Sequence, residues 1–258
     1  MQFIDQTGYA IQLDQAPKRI ISLVPSQSEL MWDLGLKNEL VGITKFCIHP
    51  QVMFESVERV GGTKQLNLEK IRALKPDLII GNKEENDKAQ IEELRNEFKV
   101  WMSDIYTIND ALKMIISIGE LTGTLKSAKS ILNQITENFS QLKNEYLKNK
   151  KVVYLMWYNP IMAAASNTFI DSVIQSANMI NLFGEKERYP VTTFEDIKSL
   201  NPDLVLLSTE PFPFSDKHIK EFEMIVGKGK VKMVDGEMFS WYGSRLARVP
   251  AYFNQLFR

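Results

Sequence analysis

Short apolar runs rich in β-branched residues alternate along this chain with segments whose apolar positions recur every three or four residues. The first run, "RIISLV" (19–24), reads as a strand closed by Pro25. "SQSE" then has the form of a capping box, with Ser26 at N-cap and Glu29 at N3, opening a helix that Gly35 closes. "LVGIT" is the next strand. "LNLEKIRALK" is a helix capped by Asn67 and stopped by Pro76, and "DLIIGN" is a buried strand behind it. "KAQIEELRNEF" and "KVWMSD" add a helix and a strand. Strands alternating with short helices predict an α/β fold with mostly parallel sheets.

The rhythm changes over residues 107–149, where "TINDALKMIISIGELTG" predicts one helix and a second is expected from about Leu125 to Lys148. In the second, Ile131, Ile135, Phe139, Leu142 and Tyr146 form one apolar stripe. At ~1.5 Å per residue it would span ~35 Å, a rigid rod joining two lobes and permitting only small movements between them. Beyond it the first pattern returns. "KVVYLMWY" is a strand, "TFIDSVIQSANMINLFG" is a helix opened by Thr168 with Asp171 at N3, and "VKMVDG" is a late strand.

One stretch is written twice. "NLEKIRALKPDLIIGN" (67–82) and "TFEDIKSLNPDLVLLS" (193–208) share six identical positions, ending in the run Pro-Asp-Leu, and the second copy reads as a helix capped by Thr193 and stopped by Pro202, followed by the strand "DLVLLS". The duplication predicts two α/β lobes of one plan, 1–106 and 150–258, with 107–149 as connector. Ligands commonly sit in the cleft between such lobes.

Composition narrows the function. The 258 residues carry a formal net charge of −1, leaving no basic excess for nucleic-acid phosphates. No window is apolar enough for a membrane span. The N-terminus lacks a basic segment followed by an apolar run, so a signal peptide is not expected. The chain as written is cytosolic, or exported with its leader removed. A single cysteine, Cys47, excludes an internal disulfide.

Candidate chemistry gathers at predicted strand ends, where ligands lie in parallel α/β sheets. "WYNP" supplies Trp157 and Tyr158, and "SWYGSRL" supplies Trp241, Tyr242 and Arg245. Flat rings there could stack on a macrocycle while Arg245 grips a carboxylate or amide; the competing reading packs them in the core. "TKFCIHP" places Phe46, Cys47 and His49 in a loop. With only two histidines, His49 and His218, a zinc site is not expected, though His49 could touch the metal of a bound chelate. "NKEEN" puts Asn82, Lys83, Glu84 and Glu85 at a strand end, either lining a ligand site or starting a solvated helix. "PFPF" brings Phe212 and Phe214 to the core or to the cleft rim. "VGGTKQ" lacks P-loop spacing, and "YGSRL" lacks that of a nucleophile elbow.

The stretches "PKRIISLVPSQSELMWDLGL", "VGGTKQLNLEKIRALKPDLII" and "FEDIKSLNPDLVLL" resemble, in order and spacing, the substrate-binding proteins of ABC importers for cobalamin, iron-siderophores and haem, with the cobalamin-binding members nearest. The resemblance runs from Arg19 to about Tyr252. It implies two α/β lobes joined by a single backbone helix, and a monomeric, non-catalytic binding protein of the periplasm or another extracytoplasmic space. The implied ligand is cobalamin, another corrinoid, haem or a ferric siderophore, none held covalently. The resemblance also implies docking on a permease through one glutamate per lobe, here Glu69 and Glu195. Each would equally serve as a helix-start carboxylate facing the helix dipole. Matched by flanking motifs, Phe46, Tyr189 and Trp157 or Tyr158 stand at aromatic ligand positions of the family, and Arg245 near a cleft arginine. Thr63 and Asn82 replace two of its tryptophans, making the first lobe more polar. Two other classes remain open: a cytosolic chelatase-like enzyme of tetrapyrrole or corrinoid chemistry, and a cytosolic sensor of the same fold.

Overall fold

The computed structural model describes residues 1–142 and 145–257. The chain divides into two compact units. Unit 1 comprises 1–105, 109–136 and 241–247; unit 2 comprises 106–108, 137–240 and 248–258. The expected connector at 107–149 is therefore shared between the units rather than standing alone. A seven-residue segment from the far end of the chain belongs to unit 1.

Unit 1 opens with an antiparallel hairpin, β1 (Gln2–Ile4) and β2 (Ala10–Gln12), which the sequence reading did not anticipate. Then follow β3 (Ile20–Ser22), α1 (Pro25–Asp33), β4 (Leu40–Ile43), α2 (Gln51–Ser56), β5 (Glu58–Arg59), α3 (Leu68–Leu74), β6 (Leu78–Asn82), α4 (Lys88–Arg95) and β7 (Val100–Ser103). Five of these strands form an all-parallel sheet in the order β5-β4-β3-β6-β7. The order reverses between β3 and β6, the point where open α/β sheets leave a crevice at the strand carboxyl ends. Ile21, Leu23, Ile71, Ile79, Leu94 and Val100 build the core of this sheet and its helices.

Helices α5 (Ile108–Leu121) and α6 (Leu125–Ser140) follow. The rod expected through Lys148 is shorter: α6 ends at Ser140, and residues 145–149 form turns. Its 16 residues reach ~24 Å at ~1.5 Å each. Of the expected helix, Lys143 and Asn144 lie outside the described residues.

Unit 2 runs through β8 (Lys151–Trp157), β9 (Met162–Ala163), α7 (Phe169–Ser176), β10 (Ile180–Asn181), α8 (Phe194–Ser199), β11 (Leu204–Ser208), α9 (Asp216–Val226), β12 (Val231–Val234), α10 (Glu237–Ser240) and α11 (Val249–Leu256). Its parallel strands are ordered β10-β8-β11-β12, with β9 antiparallel on β8. Here the reversal falls between β8 and β11. The helix expected to continue to Gly184 stops at Ser176; Asn178, at φ 57°, turns the chain into β10.

The duplicated stretch has a physical reason. In both units the residue before the proline is left-handed, Lys75 and Asn201 each at φ 46°, so the helix ends and the chain turns. The aspartate then hooks the new strand to the first strand of its sheet. Asp77 accepts from the backbone N–H of Lys18 (2.7 Å) and of Arg19 (2.9 Å). Asp203 accepts from the N–H of Lys151 (2.8 Å). The leucine that follows, Leu78 or Leu204, enters the core.

Helix caps follow the sequence in three places: Asn67 accepts from Lys70 N, Thr168 from Asp171 N, and Thr193 and Asp196 form a full capping box. They depart from it at α1. That helix starts two residues early, with Pro25 at its first position and Val24, not Ser26, as N-cap. Proline suits this position because its missing N–H would be unpaired there anyway. Glu29 is thereby released for a different partner.

Candidate ligand site at the strand carboxyl ends

In unit 1 three segments meet at the carboxyl side of the sheet: the loop after β4, the turn after β6 and the segment Trp241–Ala247. Gly243 lies flush on the first turn of α1, and a β-carbon there would collide with the Ser26 carbonyl oxygen. Two residues on, Arg245 makes a bidentate pair with Glu29, Nε to Oε2 and Nη2 to Oε1, both at 2.8 Å. Arg245 is 6% exposed, and its guanidinium lies 4.4 Å from the centre of the Trp241 ring. Ser244 Oγ donates to Asp33 Oδ2 at 2.5 Å.

These contacts give several of the expected site residues partners within the protein. Arg245 commits Nε and one Nη2 N–H to Glu29. Trp241 is not an open stacking platform: it is buried, with Arg245 against it and the edge of His49 at 5.8 Å. Tyr242 is buried and donates to Glu85 Oε1 at 2.9 Å. Burial, reinforced by the nearby Glu85 charge, pushes its phenol well above the ordinary value. Asn82 is likewise spent on architecture. Its Oδ1 accepts from Glu84 N (2.8 Å) and Glu85 N (3.1 Å), and its Nδ2 donates to Ser103 Oγ (3.0 Å). That is a local turn in which the asparagine side chain replaces a backbone partner.

The β4 loop is anchored from beneath. Cys47 is buried between Ser28 Oγ and Thr44 Oγ1, each 3.1 Å from its sulfur, and desolvation raises its thiol above the usual range. It is a packing residue, not a nucleophile. Phe46, beside it, is 51% exposed, with Lys45 Nζ 5.1 Å from its ring centre. His49 is half-buried against Trp241.

In unit 2 the carboxyl end of β8 carries Trp157, 38% exposed, with its Nε1 donating to Asn159 O at 3.1 Å. Tyr158, half-buried, donates to the Glu221 carboxylate at 2.7–2.8 Å. That hydrogen bond, aided by partial desolvation, holds its phenol above the ordinary value. Phe212, in the loop after β11, touches both rings, at 5.8 Å from Trp157 and 5.7 Å from Tyr158. Tyr189 is half-buried in the segment that pairs alongside β9, with Ala163 N donating to Pro190 O and Ala165 N to Arg188 O. The Arg188 guanidinium lies over the rings of Tyr189 (5.2 Å) and Tyr106 (5.5 Å). Phe212 was read as core or cleft rim, and Tyr106 was not among the expected residues. The Phe-Pro-Phe spacing hinted at the first; nothing local marks the second.

His218 lies far from a metal-ligating role. It is buried, its Nδ1 accepts from Ser215 N at 2.9 Å, and its ring is 4.6 Å from that of Tyr158. Among the described residues no group of three or more His, Cys, Asp or Glu could hold a metal ion.

Glu69 and Glu195 occupy the same helical position, the second residue of α3 and of α8, and both are exposed. The residues two places on, Ile71 and Ile197, are both buried, so the two helices present the same faces. No described helix is long and apolar enough to cross a membrane.

Residues 20–225 match the family model described as periplasmic binding protein. The chain is 26% identical over 195 residues to the vitamin B12-binding protein of Vibrio cholerae, covering 74% of this chain and 70% of that one. It is 29% identical over 216 residues to an ABC transporter substrate-binding lipoprotein of Bacillus subtilis, covering 78% and 67%. The crystal structure of a periplasmic haem-binding protein from Pseudomonas aeruginosa superposes with a TM-score of 0.80 at 20% identity, covering 93% of each chain. The paired α/β units, their matched strand orders and this family match lead to one conclusion: the chain belongs to the periplasmic binding protein family, whose role is to bind solutes for ABC transporters.

Proposed function

We propose that this protein binds a corrinoid, or a closely related flat metal chelate, and delivers it to an ABC-transporter permease outside the cytoplasm. The observation that carries this reading is the accessible aromatic surface at strand carboxyl ends, Phe46 in unit 1 and Trp157 in unit 2. Large rings with exposed faces suit a conjugated macrocycle, and they sit where open α/β sheets bind ligands. Tyr189 and His49 add partly exposed edges. The similarity to a vitamin B12-binding relative supports a corrinoid as the first candidate. The protein acts by binding, without chemistry on its guest.

Delivery would use Glu69 and Glu195. Equivalent carboxylates at equivalent helix positions let a two-fold partner read one geometry twice. Reversing both charges is expected to abolish stimulation of the transporter while leaving ligand affinity unchanged.

Titration of the purified protein with cyanocobalamin, cobinamide, haemin and a ferric siderophore tests the reading, with quenching of Trp157 as the signal. Saturable quenching by a corrinoid is the expected result. No binding by any of the four overturns it.

A further inference from the structure

We propose that Phe212 is a ligand-contacting residue that selects for a flat, apolar ring face; this rests on the solute-binding reading above. The loop Thr209–Phe214 leaves β11 at the strand-order reversal of unit 2, beside the carboxyl end of β8. It is held from several sides. Thr209 N donates to Val234 O (3.0 Å), Phe212 N to Met156 O (3.4 Å) and Ser240 Oγ to Glu210 Oε1 (2.7 Å). Gly236 packs so closely beneath it that a β-carbon would collide with Glu210 Cγ and Ser208 Oγ. The loop is therefore positioned before any ligand arrives, which spares affinity the cost of ordering it.

Phe212 is the hub of a cluster of rings, stacked on Tyr158 and meeting Trp157, Phe214 and His218 edge-on. Beneath it Phe214 (4.9 Å) and His218 (5.5 Å) are buried; beside it Tyr158 is half-buried and Trp157 is exposed. Phe212 itself is half-buried, so part of its ring remains outside the core. The polar atoms around it are already engaged or enclosed. Trp157 Nε1 is bonded to Asn159 O and the Tyr158 hydroxyl to Glu221, while His218 Nε2 is buried without a hydrogen-bond partner. What this ledge turns outward is ring surface without donors. It matches the face of a conjugated macrocycle, not the charged or amide-bearing rim of one.

Three variants decide the matter: Phe212→Leu, which keeps apolar bulk and removes the ring; Phe212→Trp, which keeps a ring; and Phe214→Leu, a core control. Affinities for cyanocobalamin and haemin are measured calorimetrically beside thermal unfolding. Phe212→Leu is expected to weaken binding about tenfold with little change in Tm, as for loss of a central aromatic contact, while Phe212→Trp binds like the parent. Phe214→Leu is expected to lower Tm more than it lowers affinity. Parent protein that binds with Phe212→Leu unchanged overturns this inference alone. Parent protein inert to both probes, to cobinamide and to a ferric siderophore overturns the solute reading and this inference together.

Discussion

The two units spell one helix–turn–strand sentence and then end it differently. Around Pro76 and Pro202 the geometry repeats: a left-handed residue, a proline, an aspartate reaching back to the first strand, a leucine into the core. Past the strand ends the likeness stops. At this place unit 1 has a buried ion pair, Arg245 on Glu29, with Trp241 against it, whereas unit 2 has a cluster of rings around Phe212. The shared residues are those that build the scaffold. The residues that differ stand where a ligand would be met, as expected when function is carried by loops on a common frame.

The sharpest contrast is the buried ion pair, which has no counterpart among the described residues of unit 2. Glu29→Ala removes the bidentate carboxylate from a buried guanidinium and is expected to cost about 3–5 kcal/mol in urea denaturation. The double variant Glu29→Met/Arg245→Met is expected to recover most of that loss, because apolar groups of similar size replace both charges. A single variant as stable as the parent would show that Trp241–Ala247 is not held by this pair.

The aspartate hooks provide a smaller and graded comparison. Asp77 accepts two backbone N–H groups at the start of the first strand of its sheet and Asp203 one, both near the surface. Asp77→Ala is expected to lose about 1–2 kcal/mol and Asp203→Ala about half as much. Equal losses would mean that the hook acts through chain direction and not through the number of bonds. At the preceding position the left-handed lysine is a poorer choice than the asparagine of the second copy. Lys75→Asn is expected to gain about 0.5–1 kcal/mol, since asparagine tolerates that backbone region better.

Each unit also pairs one phenol with one glutamate, and the causes separate on titration. Tyr158 is held up first by its hydrogen bond to Glu221, Tyr242 first by burial. Ultraviolet titration of Glu221→Gln should bring Tyr158 down toward about 10, the ordinary phenol value, while Glu85→Gln should leave Tyr242 high. Raised acids favour the protonated folded state. The stability from the Tyr158 pair is therefore complete below about 10 and is lost as pH climbs through the raised value.

Much of the scaffold was legible in the sequence because its signals are local. Asn67, Thr168 and Thr193 announce helix starts by side chains that reach three residues, and Pro76 and Pro202 announce stops. The site was legible only in outline. Glu29 looked like half of a capping box because its true partner lies 216 residues away, and Asn82 looked like a ligand-lining amide until its turn was seen. Arg245, Trp241 and Tyr242 carried the chemistry of a binding motif, and their contacts are with Glu29, His49 and Glu85, residues that no spacing rule links to them. The apolar stripe beyond Ser140 suggested helix from periodicity alone, which cannot report where backbone hydrogen bonding gives way to turns.

Crystals grown with cyanocobalamin and measured at the cobalt absorption edge test the central claim most directly. The account predicts one cobalt site, with the corrin face lying on the rings of Trp157 and Phe212 at the carboxyl ends of β8 and β11. Cobalt found at the amino ends of those strands, or beside the β1–β2 hairpin, would contradict it.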